Sequence, residues 1–252
     1  MQLLLSGLVG LGAGVLSGLL GIGGGVVLVP LLALLLGMGQ LQAQGLTLAV
    51  LLLPIGLPAV VAYHRRFPIR WALVGLLVAG FLPGVLAGSS LAVHLPERPL
   101  RALFVLLLLA VAWRGLRGRP ADEGSAEPER SLLHGLWIGA VAGVTGGLLG
   151  IGGGIVIVPL LTGVLRVSQH RAQGASLAVL LPPIGLPGVW VYARAQGGLP
   201  WALVGAVALS FAAGAFLGAG LAARIDTARL QRVFAVFVLA TAASMAWRVV
   251  AG

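Results

Sequence analysis

The sequence predicts an all-α polytopic membrane protein with two inverted-topology repeats, each a glycine-broken helical hairpin followed by three transmembrane helices. Three observations predict this fold: the composition, a duplication of the chain and the distribution of arginine. Of the 252 residues, 59% are hydrophobic and only 9% are charged, and the mean hydropathy is +1.09. Soluble domains carry about 25% charged residues. A soluble fold of this composition would leave too much apolar surface in water.

The same composition excludes several classes of function. The chain contains no cysteine, which removes disulfides, thiolate nucleophiles and cysteine metal sites. All sixteen basic residues are arginine, and a net charge of +10 is compatible with nucleic-acid binding. However, the arginines occur one to three at a time between apolar runs, as in the cytoplasmic loops of membrane proteins. We therefore expect the lipid bilayer, and no nucleic acid, as a partner.

The apolar segments fall into two series on either side of a charged linker. We predict a first transmembrane repeat at 1–113, a charged linker at 114–131 and a second transmembrane repeat at 132–252. The predicted apolar segments are 3–20, 22–37, 45–63, 71–93 and 100–113 in the first repeat, and 132–149, 151–165, 174–192, 200–222 and 229–249 in the second.

The two halves of the chain are copies of each other. The stretch LLGIGGGVVLVPLL at 19–32 matches LLGIGGGIVIVPLL at 148–161, an offset of 129 residues. The sequence PIGLP occurs at 54–58 and again, at the same offset, at 183–187. Internal repeats of this kind are typical of secondary transporters.

The first apolar stretch of each repeat is too long for a single membrane crossing. As one helix, residues 1–36 would be about 54 Å long, whereas the hydrocarbon core of a bilayer is about 30 Å thick. We expect the helix to break at the glycine cluster 21–25, because glycine tolerates sharp turns. The resulting hairpin is either re-entrant or fully spanning. In both cases the repeat crosses the membrane an odd number of times, so the second repeat would be inserted upside down.

The arginine distribution favours the inverted arrangement. With inverted repeats, twelve arginines lie on one side of the membrane and four on the other, whereas parallel repeats would give nine and seven. Cytoplasmic loops carry the excess of positive charge. We therefore predict a multi-pass protein of the cell (inner) membrane with a cytoplasmic linker and both termini outside.

Small residues recur every four positions in the first and fourth segments of each half. This spacing allows helix backbones to approach closely in lipid. We interpret these residues as packing positions. They are Gly10, Gly14, Gly18, Gly80, Gly84 and Gly88, with Gly139, Gly143, Gly147, Ser210, Gly214 and Gly218 as counterparts.

The duplicated glycine clusters form the first part of the predicted substrate site. Each cluster precedes a short helix whose first backbone amides lack partners within the helix. Two such N-termini, each with about half a positive charge, would form an anion site from backbone amides. Simple tight turns are the alternative. The predicted substrate-binding glycines are Gly21, Gly23, Gly24 and Gly25 in the first repeat, and Gly150, Gly152, Gly153 and Gly154 in the second.

A polar pair in the third segment of each repeat completes the predicted site. Gln44 with Thr47, and Gln173 with Ser176, are three residues apart and share a helix face. Their amides and hydroxyls are able to coordinate an oxyanion, although hydrogen bonds between helices would also explain them. Four prolines should kink the same helices and are predicted hinges: Pro54, Pro58, Pro183 and Pro187.

The apolar segments lack the residues that catalysis or cation binding would require. They contain no Asp or Glu, and the four histidines of the chain lie at segment ends without forming a ligand pair. The glycine clusters also lack the acid of a dinucleotide-binding fold and the lysine of a P-loop. We therefore predict a protein that is not an enzyme, with no catalytic residues, no metal and no cofactor.

These motifs resemble the TauE/SafE family of sulfite and organosulfonate exporters. The resemblance rests on the twin LLGIGGGxxxVPLL segments with Pro30 and Pro159, each followed by Gln-Gly-x-Thr/Ser and a proline-bearing helix. It covers essentially the whole chain and implies an inner-membrane transporter of small anions, mostly sulfur-containing ones such as sulfite or sulfoacetate. Carried over by motif, the glycine clusters and the polar pairs would bind the substrate.

We therefore predict a secondary transporter that moves a small sulfur-containing anion by alternating access around the paired glycine breaks. A passive anion channel and a non-transporting membrane scaffold are the alternatives. The expected partners are a small anionic substrate, the bilayer and, as an option that the sequence leaves open, a second copy of the chain in a homodimer.

Overall fold

The computed structural model describes residues 2–20, 24–54, 57–117, 132–222 and 227–250. Within these ranges all regular secondary structure is α-helical. The first half contains α1 (Gln2–Leu20), α2 (Gly25–Leu35), α3 (Gln40–Val50), α4 (Leu57–Arg66), α5 (Trp71–His94) and α6 (Glu97–Arg117). The second half contains α7 (Leu132–Leu149), α8 (Gly154–Gly163), α9 (Gln169–Val179), α10 (Leu186–Ala195), α11 (Trp201–Ala222) and α12 (Thr227–Val250). Most of the predicted linker lies outside the described residues.

The predicted glycine break is present in the second half of the chain. Helix α7 ends before Gly150 and α8 begins at Gly154. The three glycines between these helices have φ values that only glycine adopts at little cost: Gly150 at 70°, Gly152 at 74° and Gly153 at 77°. In the first half α1 and α2 are likewise separate helices, but Gly21 and Gly23 lie outside the described residues.

The third apolar segment of each half is two helices rather than one kinked helix. Helix α3 is followed by a separate α4, and α9 by a separate α10. The prediction that each third segment forms one continuous, kinked helix is therefore wrong. Proline lacks the backbone N–H and clashes with the preceding turn, so it ends a helix more readily than it bends one. Pro54 and Pro183 precede the new helices, while Pro58 and Pro187 take their second positions, where the missing N–H costs nothing. Their action as hinges stays a prediction.

Two long helix pairs, each with one helix from either half, form the main packing seams. Helix α1 packs along α11, and α5 packs along α7. The small residues of these helices lie against the partner's backbone. A Cβ added at Gly84 would lie 3.0 Å from the nitrogen of Val144, and one added at Gly143 would lie 2.9 Å from the nitrogen of Val85. The packing interpretation of the glycine spacing is confirmed.

Other helices also pack across the halves. Among the shorter ones, α10 lies against α3 and α4 lies against α9, and the long helices α6 and α12 form a further pair. Helices α3 and α9, which carry the predicted polar pairs, thus each contact a short helix of the other half.

Two helices in the described part of the chain are long and apolar enough to cross a membrane alone. They are Trp71–His94 and Trp201–Leu221, each with a mean hydropathy of 2.0 over its most apolar window. Helices α2 and α3 have 11 residues each, which corresponds to about 16 Å. That is about half of the ~30 Å hydrocarbon thickness, so the ends of such short helices are suited to a site at mid-depth.

One backbone position carries strain that a substitution should relieve. Arg166 follows α8 with a φ of 51°, and the corresponding residue after α2 is Gly37, with a φ of 67°. The backbone N–H of Val167 donates to the carbonyl of Leu161 at 3.1 Å, as in helix ends that normally use glycine. A left-handed residue with a side chain costs about 1 kcal/mol. We expect Arg166→Gly to raise the free energy of unfolding by about 0.5–1 kcal/mol, measured by thermal unfolding in detergent. The converse Gly37→Arg should lower it, and equal stability of both variants would contradict this account.

Candidate functional site

The two glycine breaks lie against each other. Gly25, the first residue of α2, is so close to the second break that an added Cβ would lie 2.7 Å from the carbonyl oxygen of Ile151. Both residues are buried. Gly25 belongs to the first predicted cluster and Ile151 to the second. The structure therefore brings the described parts of the two clusters together.

A phenylalanine from the opposite half covers the glycine that precedes each short helix. Gly24, before α2, lies against the ring of Phe211 on α11. Gly153, before α8, lies against the ring of Phe81 on α5, whose Cζ would be 3.0 Å from an added Cβ. Both rings are buried, at 1% exposure for Phe81 and 3% for Phe211. The starts of α2 and α8 are thus each covered by an aromatic ring from the other half.

The two phenylalanines were not among the predicted site residues. The sequence nevertheless carries a signal for them, since each lies ten residues after the start of a WALVG motif. An apolar ring in an apolar helix does not stand out from its neighbours. Only the correspondence between the halves marks Phe81 and Phe211 as a pair.

Helix α3 presents buried polar groups that have no partner within the described part of the chain. Gln44 and Thr47 are both 0% exposed. The Nε2 of Gln44 and the Oγ1 of Thr47 have no hydrogen-bond partner among the described residues. Leaving such a group buried and unpaired costs about 1–3 kcal/mol. Buried polar side chains are normally hydrogen-bonded, so these two atoms require an acceptor that the described residues do not supply.

Gln44 lies beside the second glycine break. A Cβ added at Gly150 would lie 2.6 Å from the Cα of Gln44. On the other side of the break, the hydroxyl of Ser176 donates to the carbonyl of Gly154 at 3.5 Å. A Cβ added at Gly154 would lie 3.3 Å from the same Oγ. The second predicted glycine cluster therefore lies next to members of both predicted polar pairs.

Two tyrosines connect the polar pairs across the halves. The hydroxyl of Tyr192 on α10 donates to the Oε1 of Gln44 at 3.1 Å, and that of Tyr63 on α4 donates to the Oε1 of Gln173 at 3.1 Å. The Tyr192 hydroxyl also lies 2.8 Å from the carbonyl oxygen of Gly147 and 3.5 Å from that of Leu148, so three acceptors share its single hydrogen. In both halves the tyrosine engages the amide oxygen, which leaves the amide nitrogen of the glutamine for another group.

Neither tyrosine was a predicted site residue, although the sequence contains a signal for both. The chain has only two tyrosines, and they occupy corresponding positions 129 residues apart. Each one contacts the glutamine of the other half. These contacts join residues 110 and 148 positions apart in the chain, which a local sequence pattern does not reveal.

The described residues of the site include no group of metal ligands. In the described ranges no three His, Cys, Asp or Glu side chains lie close enough together to hold a metal ion.

A cavity of about 490 Å³ lies away from these residues, beside the turn between α2 and α3. Leu36, Met38, Gln42 and Leu203 help to line it. None of the predicted site residues lines that cavity.

Comparison with known proteins decides the family. The family described as "Sulfite exporter TauE/SafE" matches residues 6–245 of the chain. The chain belongs to the TauE/SafE family. Membership makes the protein a membrane-embedded transporter, as the resemblance predicted.

Two curated relatives agree with this family assignment. A "Probable membrane transporter protein" from Xylella fastidiosa strain 9a5c is 33% identical over 192 residues, which cover 73% of this chain and 69% of the relative. The protein of the same description from strain Temecula1 is 32% identical over 192 residues, with the same coverage. No solved structure matches the chain.

Proposed function

We propose that this TauE/SafE transporter moves a small sulfur-containing anion, such as sulfite or a sulfonate, by alternating access around the paired glycine breaks. The observation that carries the proposal is a pair of buried atoms that have no partner among the described residues: Nε2 of Gln44, which lies beside the second break, and Oγ1 of Thr47, one turn further along α3. Both atoms are able to donate a hydrogen bond. An anion with several oxygens is the kind of ligand that accepts from such donors.

The backbone around these side chains supports the same chemistry. Helix α8 begins at Gly154 and α2 begins at Gly25, and the first amides of a helix have no intrahelical partner. The positive end of each helix dipole favours an anion. Because all these donors are neutral, the empty site places no permanent charge at membrane depth, where a charge is costly.

We infer that the two halves are inverted repeats. Several helix contacts recur with the halves exchanged, since α1 packs on α11 as α7 packs on α5, and α3 lies against α10 as α9 lies against α4. Inverted repeats with their site at the interface are common among secondary transporters. With the arginine distribution, this arrangement puts the linker in the cytoplasm and both termini outside the inner membrane.

The two halves differ in burial, and this difference supports alternating access. Eight of the eleven residues of α2 are buried, whereas only two of the ten residues of α8 are. Gln44 is completely buried, whereas its counterpart Gln173 is partly exposed. We propose that this conformation closes the site toward the N-terminal end of α3. In the opposite conformation, the second repeat would take the buried environment that the first repeat has here. The site would then be closed toward the N-terminal end of α9.

Counterflow in proteoliposomes tests the proposed function. Vesicles loaded with unlabelled sulfite or sulfoacetate should accumulate the labelled anion transiently, with a rate that saturates. A linear, non-saturating flux without counterflow would indicate an anion channel. The lack of any protein-dependent flux with the full set of sulfur anions would indicate a scaffold. Either result would contradict transport by alternating access.

Replacing Thr47 by valine should weaken transport without destabilising the protein. Valine keeps the shape of the side chain and removes a hydroxyl that has no partner, so we expect the free energy of unfolding to stay equal or to rise by about 1 kcal/mol. Loss of one hydrogen bond to an anion should weaken binding by about tenfold or more. Substrate-dependent counterflow and thermal unfolding measure the two effects.

Thr241→Val is the matched control for that variant. Thr241 is also buried, but its hydroxyl donates within α12 to the carbonyls of Phe237 and Val238. Its replacement should leave transport unchanged. Equal losses of transport in Thr47→Val and Thr241→Val would show that the Thr47 hydroxyl has no particular role in binding.

A further inference from the structure

The side chain of Gln40 is buried, and no described residue is hydrogen-bonded to it. It is 0% exposed, and neither its Oε1 nor its Nε2 has a partner among the described residues. The backbone N–H of Gln40 is satisfied, because it donates to the Oε1 of Glu97 at 2.8 Å. The groups that lack a hydrogen bond are therefore those of the side-chain amide and not the backbone amide at the start of the helix. Buried amides in native proteins normally have a partner.

Gln40 lies on the same face of α3 as the proposed anion site. Residues 40, 44 and 47 are separated by four and three positions, which places their side chains in a row on a helix. Gln40 is one turn, or about 6 Å, nearer to the N-terminal end of α3 than Gln44. The unpartnered atoms of the three side chains thus form a polar line from the anion site toward one end of the helix.

The chemistry of Gln40 differs from that of the inner pair. The unpartnered atoms of Gln44 and Thr47 are a nitrogen and a hydroxyl, both of which donate to an oxyanion. Gln40 leaves both a donor and an acceptor free. An amide of this kind is able to pair with a carboxylate, a hydroxyl or an ammonium group. It therefore suits a second polar group of a ligand whose oxyanion is already bound one turn away.

We propose that Gln40 forms a second polar subsite, which binds the distal polar group of an organic anion while its sulfonate lies at Gln44 and Thr47. This proposal rests on the proposed function, and it separates two kinds of substrate. Inorganic sulfite is too small to reach both positions. A sulfonate with a short carbon chain and a second polar group reaches both, so Gln40 determines the preference for organic sulfonates over sulfite.

The corresponding residue of the second half does not form an equivalent subsite in this conformation. Gln169 is exposed, so its amide is not a buried group that needs a partner. The buried subsite thus belongs to α3, the helix at the closed end of the site. A substrate that reaches Gln40 is bound at two points only in the conformation that shields α3.

Binding of two anions to variants of the full-length protein tests this subsite. The probes are inorganic sulfite and sulfoacetate, and the readout is the concentration dependence of thermal unfolding in detergent. In Gln40→Leu we expect sulfoacetate affinity to fall about tenfold and sulfite affinity to change less than about twofold. Gln40→Met, which keeps an unbranched side chain, should behave in the same way and covers the case in which the leucine variant does not fold. The matched control is Gln42→Leu, because Gln42 is exposed on the same helix and should bind both anions as the wild type does.

Several outcomes would overturn the subsite. Equal weakening of sulfite and sulfoacetate in Gln40→Leu would show that Gln40 only supports the inner site. Unchanged affinity for both anions in Gln40→Leu would show that Gln40 takes no part in anion binding. A wild type that binds sulfite but not sulfoacetate would show that no organic anion reaches Gln40. A wild type that binds neither anion is a different result, since it contradicts the proposed function from which the subsite follows.

Discussion

Replacing Gly84 by alanine is expected to force α5 away from α7 and to cost about 3 kcal/mol of stability. The added Cβ would lie 3.0 Å from the nitrogen of Val144 and 3.1 Å from the Cα of Gly143. These atoms belong to the partner backbone, so no side-chain rotation relieves the clash. In lipid, burial of apolar surface no longer drives helix association, and close backbone packing is what holds such a seam together.

Gly75→Ala provides the control for this prediction on the same helix. A Cβ at Gly75 would meet no atom of the described residues within 4 Å, and alanine is the better helix former by about 1 kcal/mol. We expect this variant to match or exceed the wild type in thermal unfolding, while Gly84→Ala unfolds at a much lower temperature. Similar unfolding of the two variants would contradict the assignment of Gly84 to a tight helix seam.

Gly24→Ala is expected to abolish transport by pushing the start of α2 away from Phe211. Gly24 has a φ of −70°, a conformation that alanine adopts freely, so the clash with the buried ring is the main cost. Overpacking of this kind costs about 1–3 kcal/mol. The double variant Gly24→Ala/Phe211→Ala should therefore recover stability relative to the sum of the single changes, which thermal unfolding and counterflow would measure.

The equivalent double variant in the second half should recover less. Gly153 has a φ of 77°, so Gly153→Ala meets both the ring of Phe81 and a left-handed backbone that costs about 1 kcal/mol. Removing the ring in Gly153→Ala/Phe81→Ala relieves only the first cost. Equal recovery in the two halves would show that the backbone strain at Gly153 does not matter.

Several features of the site follow from the sequence because they depend on local chemistry. A cluster of glycines breaks a helix wherever it occurs, and a spacing of four small residues creates a packing face. Gln44 and Thr47 stand out because few other polar residues occur in their apolar segment. Each of these signals lies within a single segment, so no knowledge of the three-dimensional arrangement is needed to find it.

Other features depend on contacts between the halves and could not be predicted in the same way. The hydrogen bonds from the tyrosines to the glutamines join residues more than 100 positions apart. The separation of α3 from α4 was missed because the segment around Pro54 is apolar throughout, and hydropathy does not distinguish a kink from an end. The sequence does not distinguish Gln40 from the exposed Gln42 two residues later, because only the packing of other helices buries Gln40.

Thermal unfolding with a panel of anions tests the central claim most directly. The claim is that a small anion binds between the glycine breaks through Gln44 and Thr47, and the panel contains sulfite, sulfate, thiosulfate, sulfoacetate, taurine, phosphate and simple carboxylates. At about 100 times its dissociation constant, a bound anion should stabilise the wild type by about 2.7 kcal/mol. We predict selective stabilisation by a sulfur anion, and its loss in Gln44→Leu/Thr47→Val. Equal stabilisation of the wild type and the double variant, or stabilisation by none of the anions, would contradict the account.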